Sequence, residues 1–421
     1  MIDVLKKYNY WADEDIETGY PRKAYVEKFS RYLNNKLVKV ILGQRRAGKS
    51  YLLRMMIKHL TENQGIPRQN ILYINKDIAE LDFIDNSKLL IKVVNEYREV
   101  IKPAGKVFIF LDEIQEIKDW EKAVNSFSQD YKFEYEVFIT GSNANLLSAE
   151  LSTYLSGRYI DFEVFPFSYD EYIGFNNLQK SKDSLLTYLK NGGIPESCKL
   201  ESPEMKRNYL LSLKDSIVLR DMVRRHHIRD IYLLDKLINF MIDSIGSLFS
   251  INKVVNYLRS SGYRANVETI GNYLDYMKEA FFIHEVDRFD IKGKRILSSE
   301  KKYYLNDLGF KYYLSSSFDF VVGKYLENAV YLDLKRKGYQ VYTGTLKNKE
   351  IDFIAQKEGN RKYVQVCYLL ADETVIEREF GNLEQVADHY EKFVVSLDDV
   401  NLGNRKGIKH VNAWEFISNR E

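Results

Sequence analysis

Residues 38–50 read Val-Lys-Val-Ile-Leu-Gly-Gln-Arg-Arg-Ala-Gly-Lys-Ser, and this stretch decides the fold of the chain. Its opening residues are apolar or β-branched apart from one lysine, which predicts a short buried strand. The loop that follows matches the pattern G-x-x-x-x-G-K-S through Gly43, Gly48, Lys49 and Ser50. Apolar residues then recur on one side of a predicted helix. A strand, a glycine loop and a helix in this order are the context that a P-loop requires.

Each residue type in this loop has a chemical role toward a nucleoside triphosphate. The glycines let backbone N–H groups turn inward around phosphate oxygens, and the helix N-terminus adds its dipole. We expect Lys49 on the β- and γ-phosphates and the Ser50 hydroxyl as a ligand of Mg²⁺. The predicted nucleotide-binding residues are Gly43, Gln44, Arg45, Arg46, Ala47, Gly48, Lys49, Ser50 and Tyr51. The sequence therefore predicts a chain that binds ATP together with Mg²⁺.

A second motif supplies the acids that ATP hydrolysis needs. The apolar run Val107 to Leu111 leads directly into Asp112 and Glu113, which is the Walker B pattern. We expect Asp112 to hold the water shell of Mg²⁺ and Glu113 to polarise the attacking water. A further predicted strand, Ile71 to Asn75, lies between the two motifs. This extra strand, together with the glutamate Glu113 beside the Walker B aspartate, indicates the AAA+-like division of the P-loop NTPases. These proteins have an α/β fold with a parallel sheet and helices on both faces.

The next predicted strand, Tyr135 to Thr140, ends in polar residues that suit the sensor position. Ser142 or Asn143 can reach the γ-phosphate and the attacking water. Either residue can equally cap a helix predicted over 145–155. We take Asn143 as the candidate for the catalytic role.

Two arginines near the core have alternative interpretations. Arg158 directly precedes the predicted fifth strand and suits a finger that reaches the γ-phosphate of a neighbouring subunit. This role predicts a homo-oligomer, whereas the alternative is a surface arginine or an internal salt bridge. Arg22 precedes the helix that leads into the P-loop strand. It could approach the nucleotide, but we expect it to be exposed.

Length and composition limit the class of protein. At 421 residues the chain exceeds one compact core, so we expect about two to four domains. A net charge of +2 argues against a globally basic nucleic-acid-binding protein but permits a local basic patch. Cys198 and Cys367 are far apart, which argues against a disulfide framework or a cysteine-based zinc site. The polar residues 1–20 and the lack of a long apolar run predict a cytoplasmic protein without a membrane segment.

The P-loop is one of several motifs that lie along nearly the whole chain. They are G-x-R-R-x-G-K-S at 43–50, Phe-Leu-Asp-Glu-Ile-Gln at 110–115, Thr-Gly-Ser-Asn at 140–143, Ser-Gly-Arg at 156–158, Phe-Pro-Phe-Ser at 165–168 and Gly-Gly-Ile-Pro-Glu at 192–196. Together they resemble the bacterial and archaeal AAA+-type ATPases that carry a C-terminal domain of unknown function. The resemblance implies an architecture more than a biological role.

We predict four domains from changes of pattern along the chain. They are an ATPase core with an N-terminal helical extension at 1–168, a helical lid at 169–232, a winged helix at 233–315 and a nuclease-like domain at 316–421. The predicted lid contains the densest basic cluster, formed by Arg220, Arg224, Arg225, His226, His227 and Arg229. This cluster is either a solvated helix end or a contact to phosphate. The adjacent histidines lack further ligands at metal-binding spacing.

The predicted winged helix combines three helices with a hairpin whose turn is basic. The basic residues of the hairpin are Lys292, Lys294, Arg295, Lys301 and Lys302. We expect these side chains to reach phosphates of double-stranded DNA while a helix enters the major groove. Glu268, Asp275 and Glu279 on the presumed reading helix argue against DNA and leave protein docking as the alternative.

The predicted C-terminal domain resembles the PD-(D/E)XK nucleases. Glu327 on a helix and Asp352 on a strand fit the first two acidic positions. The third position has Gln365, and Cys367 stands where the catalytic lysine is expected. Because an anionic ligand and a cation are both lost, we predict an inactive site, unless Glu350 or Glu377 replaces the missing acid.

These features predict an AAA+-type ATPase that couples its nucleotide state to binding of DNA or of a partner. Lys49, Ser50, Asp112 and Glu113 would hydrolyse ATP. One alternative is an ATP-gated DNA endonuclease, which Gln365 disfavours. A second alternative is a nucleotide-dependent protein-interaction switch without DNA, which the near-zero net charge favours.

Overall fold

The protein is described here by a computed structural model. It describes residues 1–12, 15–147, 154–316, 319–347 and 349–418. The chain divides into two compact units, an N-terminal unit Met1–Val164 and a C-terminal unit Phe165–Glu421. None of the helices in the described ranges has both the length and the apolar character that crossing a bilayer requires.

The N-terminal unit is built on a five-stranded sheet in which all neighbouring strands run parallel. Its strands are β1 (Val38–Leu42), β2 (Ile71–Asn75), β3 (Val107–Asp112), β4 (Tyr135–Gly141) and β5 (Tyr159–Glu163). The strand order is β2-β3-β4-β1-β5, so β4 lies between the P-loop strand β1 and the Walker B strand β3. Parallel strands in this order, with a P-loop after β1, confirm the predicted α/β fold of a P-loop NTPase.

Helices cover this sheet and complete the core. In the described part of this unit the α-helices are Ile2–Tyr8, Lys23–Ser30, Lys49–Lys58, Ser87–Ile101 and Trp120–Ser128, and a π-helical turn covers His59–Asn63. Every residue of β1, β3 and β4 is buried, as expected for parallel strands with both faces covered. Leu52, Leu53 and Met56 of the helix after the P-loop belong to the same core cluster as Phe110 and Phe138.

The C-terminal unit combines many helices with one nine-stranded sheet. Its α-helices are Tyr169–Phe175, Lys182–Asn191, Pro195–Cys198, Pro203–Ser216, Arg224–His226, Ile231–Ser244, Ile251–Ser260, Val267–Glu279, Leu308–Leu314, Val322–Arg336, Glu373–Glu384 and Ala413–Phe416, and a π-helix covers Ile217–Val223. Its strands are β6 (Leu248–Phe249), β7 (Ile283–Asp290), β8 (Arg295–Leu305), β9 (Gln340–Leu346), β10 (Lys349–Lys357), β11 (Asn360–Val366), β12 (Glu391–Ser396), β13 (Asn404–Arg405) and β14 (Ile408–Asn412). The sheet order is β13-β14-β12-β11-β10-β9-β7-β8-β6.

The predicted wing hairpin is part of this large sheet. Strands β7 and β8 form the expected antiparallel hairpin, but β7 also pairs in parallel with β9. The sheet therefore runs across the boundary that we predicted between 315 and 316. The division of the C-terminal unit into lid, winged helix and nuclease-like domain stays a prediction.

Candidate nucleotide-binding site

The P-loop glycines have backbone conformations that residues with a side chain rarely adopt. Gly43 has a φ of 153° and Gly48 a φ of 100°. A Cβ atom at Gly43 would lie 2.2 Å from the carbonyl oxygen of Val164. Gly48 is the N-cap of the helix Lys49–Lys58. Glycine is therefore needed at Gly43 for both conformation and space and at Gly48 for conformation, and it leaves the helix N-terminus open to a phosphate.

Lys49 is held over the loop by the backbone. Its Nζ donates to the carbonyl oxygen of Gly43 at 2.9 Å and to that of Gln44 at 3.2 Å. The same atom lies 3.7 Å from Oε1 of Glu113, and both side chains are buried. The Walker A cation and the Walker B glutamate are thus brought together.

Asp112 lies at the centre of a buried hydrogen-bond network. Its carboxylate accepts from the hydroxyl of Thr140 at 2.5 Å and from that of Tyr73 at 2.9 Å. Burial, and then the charge of Glu113, raise the pKa of Asp112 above its ordinary value. The nearby Ser50 side chain, like those of Thr140 and Tyr73, favours the charged form of this carboxyl and lowers its pKa. Ser50 and Asp112, the two predicted Mg²⁺ ligands, are therefore neighbours in this site.

The backbone of Glu113 is fixed in an unusual conformation. Its φ is 55°, and its N–H donates to the hydroxyl oxygen of Thr140 at 2.9 Å. The Gln115 amide donates to its carboxylate at 2.5 Å. Burial alone would raise the pKa of Glu113, but the Lys49 ammonium, and then the hydrogen bond from Gln115, lower it overall. The carboxylate is therefore ionised at neutral pH and able to accept a proton.

The sensor candidates follow β4 and are fully buried. Ser142 and Asn143 each have 0% of their surface exposed. A hydrogen bond from Ser142 contributes to lowering the pKa of Glu113. A short 3₁₀ helix, Ala144–Leu147, follows, while the rest of the helix predicted over 145–155 lies partly outside the described residues.

The expected exposure of Arg22 is wrong. Only 3% of this residue is exposed, and its Nη1 donates to the carbonyl oxygen of Ala47 at 3.1 Å. Its guanidinium also lies 4.5 Å from the ring centroid of Tyr25. The arginine is buried because the P-loop backbone accepts its hydrogen bond and an aromatic face covers its charge. The local sequence gave no signal for this contact across the fold.

The other predicted nucleotide-binding residues differ in exposure. Gln44 and Ala47 are buried, Arg45 is half-buried, and Arg46 is exposed with a φ of 67°. The ring of Tyr51 lies 4.3 Å from the guanidinium of Arg54.

Arg158 lies at the opposite end of the sheet from the P-loop. Its carbonyl oxygen accepts from Val38 N, so it sits beside the first residue of β1, whereas the P-loop follows the last. Five residues of strand place these ends about 16 Å apart. The exposed side chain donates from Nη1 to Oδ1 of Asn125 at 3.2 Å. The side chain is therefore too short to reach a phosphate bound at the P-loop of its own subunit.

The acidic residues of the predicted nuclease-like site lie close together within the C-terminal unit. They surround Lys302, a lysine that we assigned to the basic hairpin. Nζ of Lys302 lies 2.8 Å from Glu327, 2.7 Å from Glu350 and 3.9 Å from Asp352. The Tyr304 hydroxyl donates to Glu327 at 2.6 Å. Within the described residues, no group of three or more histidine, cysteine or acidic side chains is arranged to hold a metal ion.

Two of the basic hairpin residues are not available to DNA, contrary to our expectation. Lys302 is only 3% exposed, and Lys301 lies 2.5 Å from Glu285 and 3.2 Å from Asp287. Both lysines point toward carboxylates of their own unit because β8 is an internal strand of the sheet. Lys292, Lys294 and Arg295 are exposed, and their contact with DNA stays a prediction.

Known sequence families match two regions of the chain. An AAA domain matches residues 35–173, which contain the P-loop, the Walker B acids and Arg158. A domain of unknown function (DUF8612) matches residues 182–320. The AAA match supports the predicted AAA+-type ATPase and its binding of nucleotide.

Two relatives match almost the full length. An uncharacterized protein of Haemophilus influenzae is 34% identical over 379 residues, which cover 89% of this chain and 92% of that protein. The uncharacterized protein MJ1544 of Methanocaldococcus jannaschii is 33% identical over 422 residues, which cover 96% of this chain and 89% of that protein. This chain belongs to their family. The two relatives come from a bacterium and an archaeon.

Solved structures of nucleotide-binding proteins have more distant similarity. The Walker-type ATPase PABY2304 of Pyrococcus abyssi has a TM-score of 0.47 at 15% identity, covering 72% of this chain and 99% of that chain. DnaA of Aquifex aeolicus bound to AMPPCP has a TM-score of 0.32 at 17% identity, covering 65% of this chain and 92% of that chain.

Proposed function

We propose that the N-terminal unit hydrolyses ATP with Mg²⁺. The observation that carries this proposal is the buried contact of the two motifs, in which Nζ of Lys49 lies 3.7 Å from the Glu113 carboxylate. Ser50 is also close enough to Asp112 to lower the pKa of that carboxyl. The hydroxyl and carboxylate oxygens of Ser50 and Asp112 are the hard ligands that Mg²⁺ takes. When bound, Mg²⁺ would offset the charge of the β- and γ-phosphates.

We assign the other steps of ATP hydrolysis to side chains of this unit. Lys49 would leave its backbone acceptors and contact the β- and γ-phosphates, which also frees Glu113 from its cation. The Glu113 carboxylate would then orient a water and accept its proton, and Asn143 would contact the γ-phosphate. Arg22 would hold the loop in shape through its hydrogen bond to Ala47.

We further propose that Arg158 acts in a second copy of the chain. Its position at the far end of the sheet supports a role in trans, because its own P-loop lies beyond the reach of the side chain. A guanidinium supplied by a neighbour would offset charge in the transition state. ATP turnover would therefore depend on assembly into a homo-oligomer.

For the partner we favour double-stranded DNA, bound through the C-terminal unit. Arg220, Arg224 and Arg229 are exposed, and none of them forms an ion pair within the residues that the structure describes. Arginines without carboxylate partners are suited to phosphates, because the guanidinium need not break an existing contact. We call Arg220, Arg224 and Arg229 the arginine segment.

The hairpin contributes less to this DNA surface than we expected from the sequence. Lys301 and Lys302 are occupied by carboxylates, and Glu268 and Asp275 are exposed on the helix Val267–Glu279. An acidic helix is repelled by the phosphates that border a major groove. If this region is a winged helix, its main contacts to DNA would be nonspecific ones to phosphate.

We also propose that the nuclease-like part of the C-terminal unit does not cleave DNA. Gln365 replaces an acid of the PD-(D/E)XK pattern, and Lys302 already forms ion pairs with Glu327 and Glu350. The ATP-gated endonuclease is therefore the weaker alternative. The protein-interaction switch without DNA remains the competing function, and salt-dependent DNA affinity separates it from our proposal.

The test measures steady-state ATP hydrolysis and DNA binding by the full chain. We expect hydrolysis that requires Mg²⁺, is lost in Lys49→Ala and rises with duplex DNA at low salt but less at moderate salt. The variant with Arg220, Arg224 and Arg229 all changed to Gln should bind DNA more weakly, with a salt slope lower by about three. A comparison variant with Lys292 and Lys294 changed to Gln should lose less affinity and less of the salt slope, because we expect the hairpin to contribute less than the three arginines. Turnover and affinity indifferent to DNA and salt would contradict the DNA proposal and favour the switch.

A further inference from the structure

The C-terminal unit contains a buried ammonium group surrounded by carboxylates. Lys302 is 3% exposed, and its Nζ lies within 4 Å of carboxylate oxygens from three side chains. These are Glu327 on the helix Val322–Arg336 and Glu350 and Asp352 on β10. Lys302 itself comes from β8, a strand that precedes the whole PD-(D/E)XK-like pattern in the sequence.

Gln365 extends this cluster with an oxygen that has no protein partner. The antiparallel register pairs Phe353 with Val364, so Asp352 lies opposite Gln365 and on the same face of the sheet. The N–H of Val366 donates to Asp352 at 2.8 Å, which fixes that carboxylate beside β11. Gln365 is 7% exposed, and its Oε1 lacks a hydrogen-bond partner.

The carboxylate and amide oxygens of this cluster suit a hard cation, but the Lys302 ammonium already lies among the carboxylates. Carboxylate and amide oxygens are the ligands that Mg²⁺ and Ca²⁺ prefer. A divalent cation bound to Glu327 and Glu350 would meet the ammonium that lies 2.8 Å and 2.7 Å from them. The residues therefore do not fit the metal that the PD-(D/E)XK resemblance implies.

We propose that Lys302 is a built-in replacement for the divalent cation of this site. Its ammonium offsets the buried carboxylates, as a metal ion would in an active nuclease, so the C-terminal unit keeps its acids without binding metal. Removing the ammonium should open a divalent-cation site formed by Glu327, Glu350 and Asp352. The proposal deepens the proposed absence of cleavage, but its contacts are independent of ATP hydrolysis.

The experiment titrates nucleotide-free full-length protein with Mn²⁺ and follows free Mn²⁺ by electron paramagnetic resonance. All proteins contain Asp112→Asn, so that binding at the ATPase site is removed. We expect no Mn²⁺ bound by the protein with native Lys302. Lys302→Met, which keeps the apolar stem of the side chain, should gain one Mn²⁺ site, and adding Asp352→Asn should remove it.

Thermal unfolding provides a second readout. Without metal, Lys302→Met should melt at a lower temperature because its buried carboxylates lack a cation, and Mn²⁺ should restore much of the loss. Protein with native Lys302 should melt at the same temperature in Mn²⁺ and in a chelator. If Lys302→Met is unfolded without metal, refolding in Mn²⁺ should recover it.

Three results would overturn the proposal. One is Mn²⁺ uptake by protein with native Lys302 that is lost in Asp352→Asn. Another is a folded Lys302→Met protein that takes up no Mn²⁺, and the third is an unfolded one that Mn²⁺ does not recover. None of these results affects the ATPase proposal, which depends on a different unit.

Discussion

The hydroxyl of Thr140 links the two Walker B acids, since it donates to Asp112 at 2.5 Å and accepts the N–H of Glu113 at 2.9 Å. One side chain on β4 thus fixes both acids at the end of β3. The N–H bond also holds Glu113 at a positive φ, which is costly for a residue with a side chain.

Replacing Thr140 by Val should therefore damage stability and catalysis together. Valine has nearly the same shape, so the change removes two buried hydrogen bonds without creating a cavity. We expect a loss of about 1–3 kcal/mol in the free energy of unfolding, because Asp112 and the Glu113 N–H lose a buried partner. Urea unfolding and ATP turnover measure the two effects. Thr61→Val is the matched control, since its hydroxyl bonds only to carbonyls at the end of the preceding helix Lys49–Lys58. Native turnover in Thr140→Val would show that the acids are positioned by other contacts.

Glu113→Gln should separate ATP binding from hydrolysis. The amide keeps the size of the side chain but cannot accept the proton of the attacking water. Turnover should fall by about two to four powers of ten while ATP still binds. Binding is measured with a fluorescent ATP analogue and turnover by phosphate release. Glu116→Gln, an exposed acid on the following turn, should leave both unchanged. Near-native turnover in Glu113→Gln would assign the base to another residue.

The trans role of Arg158 predicts complementation between two inactive variants. Arg158→Ala has an intact nucleotide site but no finger, and Glu113→Gln has a finger but no base. Mixed at a concentration that supports assembly, the two should recover turnover that neither has alone. Asn125→Ala, which removes the internal partner of Arg158, should keep native turnover. An equal loss of turnover by Arg158→Ala in dilute monomer and in the assembly would contradict the role in trans.

The parts of the site that were predictable from the sequence lie within continuous segments. Gly43, Lys49 and Ser50 act through one loop, and the acids of the Walker B motif are adjacent in the chain, so a short pattern specifies their geometry. The strands of the ATPase sheet were predictable for the same reason, because each is a distinct apolar run in the sequence. The observed strand order then confirmed the fold.

The contacts that sequence analysis missed join segments far apart in the chain. Tyr73 bonds to Asp112 across 39 positions, and Arg22 bonds to Ala47 across 25. Lys302 was taken as a solvated residue of a basic hairpin, which is the usual environment of lysine. Its burial depends on the pairing of β7 with β9, which brings the hairpin into the same sheet as the strand that carries Glu350 and Asp352. No local pattern encodes that pairing.

The buried site of the C-terminal unit should make its stability depend on pH. Burial, and then the charge of Glu327, raise the pKa of Asp352 to about 8 from an ordinary value of 3.8. The folded state therefore binds a proton that the unfolded state releases, so stability is greatest below about pH 4 for this group and falls as the pH rises toward 8. Asp352→Asn should flatten this dependence. The measurement is urea unfolding between pH 5 and pH 9, in steps of about one pH unit. Unfolding is monitored by the fluorescence of Trp414, after Trp11 and Trp120 have been changed to Phe. Asp388→Asn, whose native carboxylate accepts from Tyr363 elsewhere in the unit, is the control and should retain the native pH profile. A native profile that is flat, or one that Asp352→Asn leaves unchanged, would show that Asp352 does not take up a proton on folding in this pH range.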